Sequence, residues 1–275
     1  MNTHPWQKRN PLYGWKWFHD GWRLFRGNPA LWMSLMAALF FINIFTLAVP
    51  LLGALVFFLT WPIWQAGLLL GAKTQSEGGE LEIQHLFAGF QNRPGQLARL
   101  GLLTLTLTLF VFMLLLTIWH NDFTALQEIM ASPASDTQVL MEAVSEKLLV
   151  PALVGTLLLI PLLMGSWFAP ALILFDGISP GLAMLYSLRA SISNTWPFLV
   201  YGLVLLLADF LLSLVLGLLV QLISGTLGTT MAEFLAPLLT FPIVFFFMAL
   251  LVGSIYGSFL DVFHKDEAAS PAQPE

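Results

Sequence analysis

Apolar residues run along this chain in six long stretches separated by short polar segments. The stretches cover about residues 30–49, 51–72, 100–119, 150–175, 196–222 and 234–259. Each is near the roughly 20 residues that an α-helix needs to cross the hydrocarbon core of a bilayer. The pattern predicts an all-α polytopic membrane helix bundle with six transmembrane helices.

The polar segments before the first, third and fifth spans follow one plan: a short amphipathic stretch, an Asn, a nearby Pro, then the span. The copies read WRLFRGNPALW with Asn28 and Pro29, LFAGFQNRPGQL with Asn92 and Pro94, and LRASISNTWPFL with Asn194 and Pro197. Asn caps a helix or makes a turn, and Pro suits the first helical turn that follows. The even spans each start near one Pro and carry another: Pro50 and Pro62, Pro151 and Pro161, Pro237 and Pro242. The unit is therefore an interfacial helix plus a transmembrane hairpin, pseudo-repeated three times from the same side. Such parallel repeats imply a pseudo-symmetry axis along the membrane normal. Prolines and asparagines that merely mark span ends are the plainer explanation.

In the first copy, Trp15, Phe18, Trp22 and Phe25 fall on one arc at helical spacing, with Lys16 and Arg23 on its rim and Asp20 opposite. That is the pattern of a helix lying in the headgroup layer. Lys16, Arg23, Arg26, Trp15 and Trp22 are the candidates to meet phospholipid, including anionic headgroups. A simple topology anchor uses the same residues. Between spans three and four, residues 120–149 predict two short helices. One is capped by Asn121 or Asp122 and stopped near Pro133. The other is capped by Ser135 or Asp136 and carries the stripe Leu140, Val144 and Leu148.

Composition agrees with a membrane domain. Hydrophobic residues make up 57%, charged residues 10%, and mean hydropathy is +0.80. Soluble domains carry about 25% charged residues. The spans and connections leave no room for a separate soluble catalytic domain, so one domain over residues 1–275 is expected, with 260–275 as a disordered cytoplasmic tail. The first span is too long for a cleaved leader and is expected to stay. Cysteine is absent, which excludes disulfides, thiolate metal sites and a cysteine nucleophile.

Charge sets the expected orientation. Lys8, Arg9, Lys16, Arg23 and Arg26 precede span one; Lys73, Arg93 and Arg99 separate spans two and three; Arg189 and Lys265 follow spans four and six. All fall on one side of a six-span chain, and Lys147 alone lies on the other, in an otherwise acidic loop. By the positive-inside rule both termini are cytoplasmic, and the 120–149 loop is periplasmic if the membrane is a bacterial inner membrane.

Candidate chemistry is sparse. Asp209 sits near the centre of span five, where a carboxylate costs about 2.5–3.5 kcal/mol on insertion scales, so it should face the bundle or a wet cavity. It suits a proton-coupled or solute site, or a polar lock to Asn43 of span one or Gln65 of span two. Pro62, Pro161, Pro170 and Pro242 interrupt or end helices, which exposes carbonyls to a solute or merely kinks the span. Gly67 with Gly71 and Gly253 with Gly257 allow close helix approach, within the bundle or in a homo-oligomer. Glu82 and His85 have helical metal-ligand spacing but no second pair, so no metal is expected. Trp119, His120, Asn121 and Asp122 have catalytic residue types without catalytic spacing. No phosphate-binding loop, nucleophile elbow or dinucleotide fingerprint is present. No cofactor and no nucleic-acid partner are expected.

With GWKWFHDGWRLFRGNPALW at residues 14–32, HLFAGFQNRPGQLARLG at 85–101 and WFAPALILFDGISPGLAM at 167–184 in view, the chain resembles an uncharacterised family of small six-span inner-membrane proteins of Gram-negative proteobacteria. It is more distantly similar to the membrane domain attached to some glycerophosphodiester phosphodiesterases. The resemblance implies a fold unit and no chemistry, and the phosphodiesterase domain itself is missing. The leading expectation is a non-enzymatic envelope scaffold or lipid-interacting component, with or without a partner subunit. The rival is a small-solute or proton-coupled transporter or channel using Asp209, and a membrane-embedded enzyme comes third.

Overall fold

A computed structural model describes residues 5–131 and 137–264. Within them the chain forms α1 (Tyr13–Gly27), α2 (Pro29–Leu47), α3 (Leu52–Ser76), a 3-10 helix (Ile83–Phe90), α4 (Pro94–Ile118), α5 (His120–Ala131), α6 (Thr137–Trp167), α7 (Ala169–Asp176), α8 (Pro180–Ser193), α9 (Thr195–Leu227) and α10 (Thr229–Phe263). No strand occurs among the described residues. Six segments are long and apolar enough to cross a membrane: α2, α3, α4, the end of α6 with α7 (Met141–Asp176), α9 and α10. The protein is a multi-pass membrane protein. At 1.5 Å per residue the 33 residues of α9 reach about 50 Å, well beyond a hydrocarbon core of about 30 Å.

Several boundaries depart from the apolar runs, and each has a local cause. α6 and α10 start well before residues 150 and 234, because polar sequence on a helix end is tolerated once it leaves the hydrocarbon. Pro151 and Pro237 therefore lie inside helices and do not mark their starts. The C-terminal boundary at residue 260 is also corrected. α10 continues to Phe263, since Asp261 and Val262 are buried and the Val262 carbonyl accepts from the Gln7 amide at 2.7 Å. The rest of the expected tail, with Lys265, lies outside the described residues. So do Pro133, Ser135 and Asp136 of the loop between spans three and four. α5 confirms a helix there, but the second helix is not separate: it runs from Thr137 straight into the fourth span. Ala143 of this stretch and Leu126 of α5 are buried, while Val144 is exposed.

The three Asn junctions differ in use. Asn28 caps α2, its Oδ1 accepting from the Leu31 amide, with Pro29 in the first turn. Asn92 and Asn194 turn back instead, each donating to a carbonyl four residues earlier, Ala88 and Ala190. Each adds a second donor to a carbonyl at the end of the preceding helix that already accepts a backbone amide, from Gln91 and Asn194 respectively.

Three short helices each pack on a long helix of a different hairpin: α1 on α10, the 3-10 helix on α3, and α8 on α6. Glycine permits the first two seams. Gly253 brings α10 so close that a Cβ there would lie 2.8 Å from the Gly21 Cα of α1. A Cβ on Gly67 would lie 2.8 Å from the Leu86 carbonyl of the 3-10 helix. Gly71 and Gly257 line the same seams, against His85 and Asp20. The small-residue pairs are thus spent inside the bundle.

Hydroxyls shape the third seam. The Ser187 hydroxyl of α8 donates to the Met164 carbonyl at 2.7 Å and accepts from the Phe168 amide at 2.9 Å. It stands between the two groups that would otherwise close one α-helical bond. The helix breaks there into α6 and α7, as inserted side chains commonly cause.

Candidate functional site

Two features stand out: a polar cluster at the joined ends of the chain, and a cavity among the spans. The cluster begins with Lys16 and Asp20, one helical turn apart on α1. The Lys16 ammonium donates to Asp20 at 2.9 Å and to both carboxylate oxygens of Asp261 at 3.0 and 2.8 Å. Trp17, fully buried, donates its indole N–H to Asp261 at 3.1 Å. The Arg9 Nε donates to the Asp261 carbonyl, and the Arg9 amide donates to Asn194 Oδ1 at 2.8 Å. Asn194, itself buried, also donates to the Gln7 carbonyl at 3.0 Å. Burial acts to lower the Lys16 pKa, but the bonds to Asp261 and Asp20 outweigh it and hold the group above the ordinary lysine range. This is a weld between the N-terminal segment, α10 and the α8–α9 junction.

The weld revises the reading of α1. Its buried face is Gly14, Trp17, Asp20, Gly21 and Leu24, so Asp20 points into the protein and not to solvent. Asp20 needs no water there, because Lys16 and Arg23 (3.5 Å) supply the charge. Trp15 and Trp22 remain on the outer face, 55% and 39% exposed, and Arg23 and Arg26 are exposed with them. Four of the five headgroup candidates thus share an open face, while Lys16 is held by two carboxylates.

The cavity lies between α3, α4, α6, α7 and α10 and holds about 490 Å³. That is within the usual range of ligand sites, about 300–1,000 Å³. Its walls are Phe57, Phe58, Trp61 and Pro62 of α3, Leu100 of α4, Leu159, Leu162 and Leu163 of α6, and Leu251 and Ile255 of α10. Four polar side chains enter it. Thr104 and Thr108 bond back to their own helix, at 3.0 and 2.8 Å. The Ser166 hydroxyl is buried without a partner among the described residues. The Gln65 amide likewise has no bond among them. Trp167 forms the inner wall, its indole N–H donating to Ser258 at 3.3 Å. Leu163 on the rim is 67% exposed. α9 meets the end of α6, where Trp167 packs edge-on against Phe198 and Tyr201 at 5.3 and 5.9 Å, but it contributes no wall, and the cavity opens among the spans at the exposed Leu163 rim.

Asp209 does not join this site. It lies on the exposed face of α9, in a groove of about 460 Å³ shared with α10. Neither expected partner reaches it. Asn43 donates to the Leu39 carbonyl of its own helix at 2.8 Å, and Gln65 lines the cavity on α3. Asp209 thus faces neither the bundle interior nor a polar cavity; the groove walls are mainly leucine, isoleucine, valine and phenylalanine. Glu82 and His85 form a cap of the 3-10 helix, His85 Nδ1 accepting from the Glu82 amide at 2.9 Å. Among the described residues no group of three metal-ligating side chains forms.

The cavity was not visible in sequence. Ser166 and Gln65 are 101 positions apart, and the only signal was Gln65 as an uncharged polar residue in an apolar run. Nor was the weld visible, because Asp261 meets Lys16 across nearly the whole chain. No protein-family model, curated protein or solved structure matches this chain.

Proposed function

We propose that this protein is a non-enzymatic, lipid-interacting component of a bacterial inner membrane, with both termini in the cytoplasm, and that its cavity takes one acyl chain of a bilayer lipid. The cavity's open side among the spans carries the reading: a ligand enters from the bilayer without crossing water. The aromatic and leucine walls suit hydrocarbon. The half-buried Gln65 amide is an unpaired donor that a lipid's ester oxygens would satisfy, and the buried Ser166 hydroxyl beside it also lacks a partner, which costs about 1–3 kcal/mol. Arg23, Arg26, Trp15 and Trp22 on the outer face of α1 suit the headgroup layer. The three short helices, each seated on another hairpin, support a threefold pseudo-repeat. The resemblance to six-span inner-membrane proteins agrees with this placement.

The test is a native mass spectrum of protein extracted gently from its own membrane. The expected result is a retained lipid at one per chain. Leu163→Trp should fill the rim and reduce that occupancy at least several-fold, while Leu211→Trp, on the outer face of α9, leaves it unchanged. A bare chain in every mild detergent, or equal occupancy in both variants, would reject the acyl-chain site.

A further inference from the structure

The Asp209 groove is a feature that the cavity and the weld leave without a use, and it carries a carboxyl. α9 contributes no buried residue to the most apolar part of its span, unlike every other membrane-spanning helix. Near its middle sits a carboxyl with no hydrogen bond among the described residues. A group of this kind facing lipid is costly and ordinarily faces a partner. The chain itself cannot supply a cation, because no Lys, Arg or His lies in the middle of any span.

We propose that the groove between α9 and α10 docks α9 of a second copy of this chain, with the two Asp209 carboxyls facing each other across a twofold axis. The choice of a second copy rests on complementarity. A pair of carboxyls that shares a proton is its own complement, one donating and the other accepting, and needs no counter-cation. Two copies inserted in the same orientation place this group at the same depth. Ser213, one turn on, lines the same groove and adds a hydroxyl. A Cβ at Gly217, one turn further, would meet nothing in this chain, so the helix surface there is open to close approach. The other small-residue pairs are unavailable, being buried in the α1–α10 and α3 seams. The contact is isologous and closes on itself as a dimer.

Because the protein has no cysteine, single cysteines report the contact cleanly. The full chain carrying Ser213→Cys is oxidised in its native membrane, beside Leu211→Cys on the opposite face of α9. The expected product is a cross-link at twice the chain mass from Ser213→Cys and none from Leu211→Cys. Adding Asp209→Leu should lower the Ser213→Cys yield about three- to ten-fold. Asp209→Asn, whose amide is again both donor and acceptor, should keep most of it. Equal yields at the two cysteine positions, a product of another mass, or a yield indifferent to Asp209→Leu would overturn the second copy as the occupant. The test is independent of the lipid cavity, since neither cysteine nor Asp209 touches it.

Discussion

At the scale of single residues, Asp261 does the most. It accepts from Lys16 and from the buried Trp17, and its carbonyl accepts from Arg9. Asp261→Ala leaves the Trp17 N–H orphaned and Lys16 with Asp20 alone. Lys16 is 48% exposed, so the ion pair is discounted and the indole supplies much of the loss. The expected cost is about 2–3 kcal/mol, read as a lower Tm in detergent. The pH dependence follows from Lys16. Its pKa is raised on folding, so its contribution is fully present below the ordinary lysine value and is lost as pH rises through the higher folded value. Thermal stability should hold through neutral pH and drop in the alkaline range above the ordinary value of about 10.4. Lys16→Gln should remove that part of the drop; an unchanged alkaline limb would show that Lys16 is not its source.

At the scale of elements, the break between α6 and α7 is set by one hydroxyl from another helix. Ser187→Ala would unpair the Phe168 amide and leave the Met164 carbonyl to the Ser191 hydroxyl at 3.3 Å, at a cost of about 1–2 kcal/mol, unless amide and carbonyl close directly and straighten the helix. Hydrogen exchange at the Phe168 amide separates these outcomes. The break predicts faster exchange in the variant, and a straightened helix predicts slower. This break also marks the limit of what the sequence disclosed. Hydropathy is a local signal, and it located all six spans to within a few residues at most ends. The apolar run over 150–175 could not show a break at Phe168, because Ser187 is nineteen residues away and looks like an ordinary helical serine. For the same reason Asp20 read only as the residue opposite the aromatic arc: helical spacing shows which residues share a face, not which face is covered. Its cover is α10, at the far end of the chain. Gln65 was legible as an unusual polar residue, but its cavity needs walls from four other helices.

At the scale of the whole molecule, the first helix closes the structure by packing on the last. α1 lies against α9 and α10 and has only light contact with the hairpin that follows it. The joint is tight because Gly21 and Gly253 oppose each other, and the Lys16–Asp261 weld fixes its outer end. Gly21→Leu would force a bulky side chain against the Leu250 carbonyl and Ser254. Overpacking of this kind typically costs about 1–3 kcal/mol; backbone on the opposing side cannot yield, so the upper end is expected. The consequence should be regional. α1 would lift from α10, and amide exchange should rise in α1, in the C-terminal half of α10 and in the first turns of α9, where Trp17 meets Phe198 and Tyr201. The 3-10 helix seam on α3 is built from separate glycines and shares no residue with this joint, so its protection should stay. A uniform rise across the bundle would mean that the three seams act as one cooperative unit. A confined rise would mean that each short helix holds its own hairpin, and that α9, whose most apolar stretch buries no residue in this chain, is the span freest to meet a second copy.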